Sequence, residues 1–527
     1  MGVLEPISMD SLKNHMAILG HDSMEGRATG TPGEDKAASY LVKQLTKYNI
    51  QPAGDQAGSY FQYIPMHGST PLPDSRLRFY TSEERSFDFE LGYDYLLYKS
   101  GAQTYVPTPV ELIFVGYGIH APEYDYNDYQ NVDVRGKIVV FLEGEPVSED
   151  STYFAGEKSS IYSLPESKQR IALSRGALGS CLIPEIQEDT TRHWEKLKRD
   201  FAFEDVTLAY AASGHLSVLL HPKAASHLFH QADHSLEEVF ALARQHKILS
   251  FPLHLSLSFT GEFIERDFSA KNVIGLIRGS GDEQEKGYLL ISAHYDHLGI
   301  GPAVLEDSIY NGVSDNASGV AAALEIGRIL AKHRSQLKRS VILLFTTGEE
   351  KGLLGARFYV DHPIFPLYKT MANINIDGLA MFDTFRDVVA IGSKLSSLHE
   401  LVITALNESP YTYSSTPEII EKSESFSRSD QIAFAHGGIP SMLIMEGFHW
   451  DNYTPDQATE KFQNWMNYLY HSPFDDIHQP LNYFAALNHS QIILWIAYQL
   501  STQQEVPEWK SAVKYRIIRL QTIAEKR

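Results

Sequence analysis

Between Ile291 and Asp377 the chain gathers side chains that can move a proton or hold a cation: HYDH at 294–297, SDNASG at 314–319, TTGEEKG at 346–352 and NIDG at 375–378. Three apolar runs, Tyr288 to Ser292, Val341 to Phe345 and Ala372 to Ile376, each give way abruptly to such groups. The first leads to His294 and Asp296, the second to Glu349 and Glu350, the third to Asp377. A polar residue at one strand end is an ordinary turn residue. Three such ends, with Asp315 at the mouth of the next helix, would set carboxylates against one another unless a cation held them together. The arrangement therefore predicts a metal site built from imidazole and carboxylate.

The elements that must position these groups follow from the pattern. Short apolar runs bounded by glycine and separated by helical periodicity predict buried parallel strands of an α/β sheet, whose ligands bind beyond the carboxyl ends of the strands. The alternation continues with a strand at Asp387 to Ile391, a helix from Leu395 to about Asn407, a helix starting at Ser429 or Asp430, and a strand at Ser441 to Met445. A loop carrying YHSPFDD at 470–476 and an apolar helix from Phe484 to about Gln499 follow. Upstream, Thr31 and Pro32 supply an N-cap and a first-turn proline for a helix with Ala37, Leu41, Leu45 and Tyr48 on one face and Asn49 as its stop. In the loop before it, HDSMEGRATGTPGE, the groups His21, Asp22 and Glu25 read as solvated charge rather than as part of a cleft. The tail from Lys510 to Arg527 reads as a packed terminal helix with a solvated basic face.

At 527 residues the chain is too long for one ordinary domain, and 43% hydrophobic with 21% charged residues is the composition of a globular protein. From His67 to about Thr260 the texture is β-rich and aromatic. Strands are predicted at Val110 to Tyr117, Lys137 to Leu142 and Leu253 to Phe259, with a helix at Ser167 to Leu178 before a strand through Cys181 to Ile183. The Tyr-rich EYDYNDYQNVD reads as a polar connection. The net charge of −21 argues against nucleic acid and anionic membranes as partners. The single cysteine, Cys181, excludes an intramolecular disulfide and a thiolate zinc cluster. No apolar run approaches the roughly 20 residues that span a bilayer. No leader is visible at Met1; the expectation is an exported protein whose leader is absent from this sequence.

Taken together and in this order, HYDH, SDNASG, TTGEEKGLLGA, NIDG and YHSPFDD resemble the di-zinc exopeptidases of metallopeptidase clan MH, which include bacterial aminopeptidases, glutamate carboxypeptidase and, in altered form, glutaminyl cyclase. The resemblance implies a mixed, mostly parallel sheet flanked by helices over residues 1–66 and 262–527. FVGYGI, DVRGKIVVFLEGEP and ALGSCLIPE in the inserted block, residues 67–261, resemble a protease-associated domain. Position by position, the likeness assigns His294 and Asp377 to one zinc, Glu350 and His471 to a second, and Asp315 as a bridge between two Zn2+ per chain. It makes Glu349 the general base, Asp296 the group that orients His294, and Tyr470 a stabiliser of the tetrahedral intermediate. It also implies a cis peptide at Asp315–Asn316. Ser429–Asp430–Gln431 departs from the Ser-Asp-His of many relatives. The implied function is an aminopeptidase that cleaves N-terminal residues from peptides through a metal-bridging water. The alternatives are a glutaminyl cyclase-like acyltransferase using one zinc, a carboxypeptidase of the same fold, and a non-catalytic receptor. His297, His436, His449 and His478 are read as packing or surface residues.

Overall fold

The computed structural model describes the chain apart from residues 1–3, 98–104, 151, 155, 157–159, 185–189, 213–214, 248, 281–286, 423–425 and 525–527. Glu185, at the end of ALGSCLIPE, and the last three residues of the tail lie outside the described part. The chain divides into two compact units, Met1–Pro65 with Phe268–Arg527, and Met66–Asp267.

In the first unit the sheet runs in the order Phe263–Ile277, Ser340–Thr346, Tyr288–His294, Thr370–Asn375, Ser441–Glu446, Asp387–Ile391, Thr412–Tyr413. The four strands from Ser340–Thr346 to Ser441–Glu446 are parallel to one another, while Phe263–Ile277 and Asp387–Ile391 pair antiparallel at either side. The apolar runs are continuous because both faces of these strands are covered. Leu289, Ile291, Ala293, Val341, Leu343 and Phe345 pack into one core, which they share with Leu324, Ile493 and Leu500 of the flanking helices. Their pleat neighbours Leu290, Ile342 and Leu344 pack on the opposite side with Ala356, Tyr359 and Phe434. Register then sets the rim: His294 lies opposite Thr346, and Ser292 opposite Asn375. Two strands therefore end level, and the third ends two residues short, so that Asp377, two residues on, comes level with His294.

The helices flanking the sheet follow from their caps. Pro32–Lys47 starts at Thr31, whose side chain accepts from Glu34 N, and stops where Asn49 turns to φ 55°. Tyr483–Thr502 is capped by Asn482, which accepts from Phe484 N and Ala485 N, and Ser318–Lys332 buries nearly its whole circumference. The tail forms a helix, Tyr515–Ala524, packed through Tyr515 against Trp509. Lys514 and Arg516 are exposed as expected, and Ile517, Leu520 and Ile523 are exposed beside them. Among the described residues no helix is long and apolar enough to cross a membrane.

The second unit is built on an eight-stranded sheet in the order Ser86–Phe89, Arg76–Thr81, Ser250–Thr260, Tyr105–Val115, Ile138–Leu142, Gly179–Ile183, Leu216–Leu220, Tyr95–Leu97. It has its own cores on both faces, one around Phe79, Phe114 and Leu257 and one around Val139, Phe141 and Trp194. Its helix Pro165–Ser174 starts at a first-turn proline and stops before Gly176, at φ 88°, a turn short of the predicted Leu178. The tyrosines of EYDYNDYQNVD are not a free polar surface: Tyr124 and Tyr126 pack with Tyr153 and Tyr162 around Phe154.

Candidate metal centre

The chemical groups arrive at the rim on several separate segments. His294 is the last residue of its strand, Glu349 and Glu350 lie in the turn after Thr346, and Asp377 follows Asn375. Asp315 comes from the turn ahead of helix Ser318–Lys332, where the Asp315–Asn316 peptide is cis, as the resemblance implied. His471 comes from the loop after helix Pro455–Tyr468, at φ 54°.

These groups meet as two clusters sharing one carboxylate. His294 Nε2 lies 3.1 Å from Asp315 Oδ1 and 3.1 Å from Asp377 Oδ1. His471 Nε2 lies 3.3 Å from Asp315 Oδ2 and 3.1 Å from Glu350 Oε2. Two donor atoms about 2.0 Å from one tetrahedral zinc are themselves about 3.3 Å apart, so both clusters have the spacing of a ligand shell. His471 Nε2 is buried and makes no aligned hydrogen bond despite these neighbours. Donors spaced in this way around a common point fit a cation between them.

The loops are locked by backbone contacts. Asp475 accepts from Ser314 N at 2.9 Å and from Asp315 N at 3.0 Å, tying the His471 loop to the Asp315 turn. Asn316 donates to Ile376 O and accepts from Gly378 N and Gly319 N, joining the Asp315 turn to the end of the Asp377 strand. A Cβ at 319 would lie 2.1 Å from Asn316 Oδ1 and 2.7 Å from Ile376 O, so this approach requires glycine. Ser429 and Gln431 hold Asn375 Nδ2, so the residue that departs from the relatives' histidine serves the strand end.

The adjacent glutamates are driven apart. Burial alone would raise Glu350, but His471 and His297 beside it outweigh burial and hold its carboxyl well below the usual range. Glu349 stands well above that range, through burial and the nearby Asp377, Glu350 and Asp430, with His294 acting in the opposite sense. Burial and Glu350 push Asp315 upward, yet the imidazoles of His294 and His471 beside it bring it down to about 2. Two neighbouring carboxyls, one held anionic and the other proton-retaining, form the division expected of a ligand and an acid–base group. The Tyr470 hydroxyl, raised by burial and by Asp315, Glu350, Glu349 and Asp377, faces the same carboxylates, and its ring stacks on His471 at 3.8 Å.

Two sequence readings need correction. The Asp296 carboxylate does not bond to the His294 ring: its Oδ1 is 3.8 Å from Nδ1, whereas its own backbone carbonyl is 3.2 Å away and fixes the tautomer. The carboxylate instead accepts from Glu349 N and Thr29 Oγ1. His297, read as packing or surface, is fully buried in the second cluster, 2.6 Å from Glu350 Oε1. His21 and Asp22 are exposed, and Glu25 is half-buried and paired to Lys36.

The same loop hides a residue that the sequence reading passed over. Arg27, 1% exposed, donates from Nε to Tyr295 O, from Nη1 to Leu19 O and Asn311 O, and from Nη2 to Gly312 O. It lies beneath Asp296, Asp315, Asp475 and Glu350, and burial brings its guanidinium down to about 10. Arg27→Met leaves those carbonyls without a donor and takes a cation from under the carboxylates, so a loss of about 3–5 kcal/mol is expected. Urea unfolding monitored in the presence of chelator measures it, with Glu25→Gln as the control expected within about 0.5 kcal/mol of the parent. An Arg27→Met midpoint equal to that of the control would show that the guanidinium does not hold the loop.

Residues 272–497 match the model of peptidase family M28. The aminopeptidase YwaD of Bacillus subtilis is 28% identical over 218 residues, 40% of either chain. The vacuolar membrane protease of Emericella nidulans is 27% identical over 159 residues, 27% of this chain and 16% of the fungal one. The matched stretches thus span less than half of these relatives. An aminopeptidase from Aneurinibacillus sp. strain AM-1 superposes with a TM-score of 0.57 at 18% identity over 95% of this chain and 96% of its own. The zinc aminopeptidase BSAP of Bacillus subtilis superposes with a TM-score of 0.50 at 16% identity over 97% and 98%. At these identities the likeness establishes the fold.

Proposed function

We propose that the chain is a zinc-dependent aminopeptidase, holding one Zn2+ with His294, Asp315 and Asp377 and a second with Asp315, Glu350 and His471. The observation that carries this is the Asp315 carboxylate, one oxygen facing each histidine. Zinc bound there supplies Lewis-acid polarisation of the scissile carbonyl and lowers the pKa of water enough to furnish a nucleophile near neutral pH. Glu349 takes the proton from the attacking water and delivers it to the leaving amine. Cationic charge in the clusters pulls its raised pKa back towards the working range. Tyr470, over the same carboxylates, donates its hydroxyl to the oxygen that gains charge. We assign Met66–Asp267 as an inserted protease-associated domain, its three quoted motifs falling at or beside the strands Tyr105–Val115, Ile138–Leu142 and Gly179–Ile183.

The charge at the rim separates the amino-terminal from the carboxy-terminal reading. A carboxypeptidase needs a cation aimed at the substrate's terminal carboxylate. The guanidinium beneath this cluster, Arg27, is buried with its donors committed to carbonyls, and the surrounding carboxylates suit a protonated terminal amine. The full ligand set also favours hydrolysis over cyclisation at a single zinc. Aminoacyl p-nitroanilides, N-terminal Gln peptides and peptides blocked at the amino terminus test these readings in parallel, each with and without chelator. Release from the anilides should fall to background with chelator and return on adding zinc. Cyclisation of the Gln peptides without hydrolysis, or cleavage confined to the blocked peptides, would overturn the aminopeptidase reading.

A further inference from the structure

The second cluster contains one more imidazole than its ligand set needs. His297 Nδ1 lies 2.6 Å from Glu350 Oε1 and 3.9 Å from Asp315 Oδ2, so its ring competes with His471 for the role of nitrogen ligand. Distance separates the two. A pair of donors on one tetrahedral zinc stands about 3.3 Å apart, whereas a separation of 2.6 Å between nitrogen and carboxylate oxygen is that of a short charge-assisted hydrogen bond. His471 meets the first description, at 3.1 and 3.3 Å, and His297 the second.

We propose that His297 is a positioning residue for the second zinc: its Nδ1–H donates to Glu350 Oε1 and fixes the carboxylate so that Oε2 is turned towards the cation shared with Asp315 and His471. This rests on the zinc-exopeptidase reading of the site. Glu350 Oε1 can only accept, so the bond places a proton on Nδ1, while Nε2 is buried with no hydrogen-bond partner. The slot for the ring is built by the backbone. His297 N donates to Arg27 O at 3.3 Å, and the ring lies flush on Gly312, where a Cβ would come 2.5 Å from Cγ and 2.6 Å from Cδ2. Gly312 also sits at φ 57°, and its carbonyl accepts from Arg27 Nη2 at 2.9 Å. The ring therefore cannot swing out of line without disturbing the turn that delivers Asp315.

Loss of an outer partner of this kind lowers metal affinity by about 10–100-fold. Competition with a chelating indicator should show His297→Ala weakening one of two zinc sites by that factor and leaving the other unchanged. In a His471→Ala background, which already lacks the second nitrogen ligand, the same change should add nothing. Asn places an amide N–H near the position of Nδ1 and should restore most of the affinity, whereas Gln, whose amide falls near Nε2, should not. The comparison of Asn with Gln carries the test by itself if the alanine variant does not fold. Two tight sites in His297→Ala would overturn the proposal. So would loss of one site in the alanine variant with no recovery in Asn, which would make His297 a ligand. Wild-type protein that binds no zinc would instead overturn the reading of the site on which the proposal stands.

Discussion

Glu349→Gln is expected to keep both zinc ions and the wild-type KM while lowering kcat by roughly 10²–10⁴, the usual contribution of a general acid–base group. The amide matches the carboxyl in shape, and Glu349 is anchored through its backbone N–H to Asp296 Oδ1 at 3.2 Å, so the turn keeps its geometry. What disappears is a site for a proton. The carboxyl retains one readily because it is buried and faces Asp377, Glu350 and Asp430, whereas an amide cannot accept one at any working pH. Glu350→Gln gives the contrasting pattern: it removes an anionic oxygen 3.1 Å from His471 Nε2, so zinc content should fall with activity. Zinc per chain, measured beside kcat for both variants, decides the matter. Metal loss in the Glu349 variant with retention in the Glu350 variant would mean the roles are exchanged. Near-wild-type rates in both would remove this turn from the reaction.

Much of this site was legible because the strands that build it are buried on both faces. Such strands read as unbroken apolar runs, and a polar group that interrupts them at the end is conspicuous. His294, Glu349, Glu350 and Asp377 are legible for that reason, Asp315 by its place at the mouth of the next helix, and His471 through a motif that resembles a family. What could not be read depends on which distant segments meet. Arg27 is a loop arginine until Leu19, Tyr295, Asn311 and Gly312 close around it. Nothing in the spacing of His294 and Asp296 distinguishes a carboxylate that holds the ring from a backbone carbonyl that does, because both reach back over the same two residues. His297 went unrecognised because its partner Glu350 lies on another strand end, and because its burial comes from the Gly312 turn rather than from an apolar neighbourhood in sequence. Asp475 was noted only as part of a motif; its bonds to Ser314 N and Asp315 N are contacts with backbone, which leave no signature in side-chain pattern.

Asp315→Asn should have the broadest effect of any single substitution here, because Asp315 alone serves both clusters. Its oxygens face His294 Nε2 at 3.1 Å and His471 Nε2 at 3.3 Å. An amide keeps one neutral oxygen and presents N–H where the other anionic oxygen stood, so one cluster gains a donor pointing at its cation and both lose negative charge. Affinity at each cluster should fall by more than the ~10–100-fold that outer partners cost. Glu350→Gln, by comparison, should spare the cluster of His294 and Asp377. The fold itself should survive, since Asp475 grips the turn through Ser314 N and Asp315 N rather than through the Asp315 side chain. Zinc-dependent melting separates these expectations. Zinc at about 100 times its dissociation constant stabilises a chain that binds it only when folded by about 2.7 kcal/mol per site. The wild type should therefore show the largest zinc-induced rise in melting temperature, Glu350→Gln a smaller one and Asp315→Asn almost none, with activity in the same order. An Asp315→Asn chain that melts with the full wild-type response to zinc would show that this carboxylate does not join the two clusters.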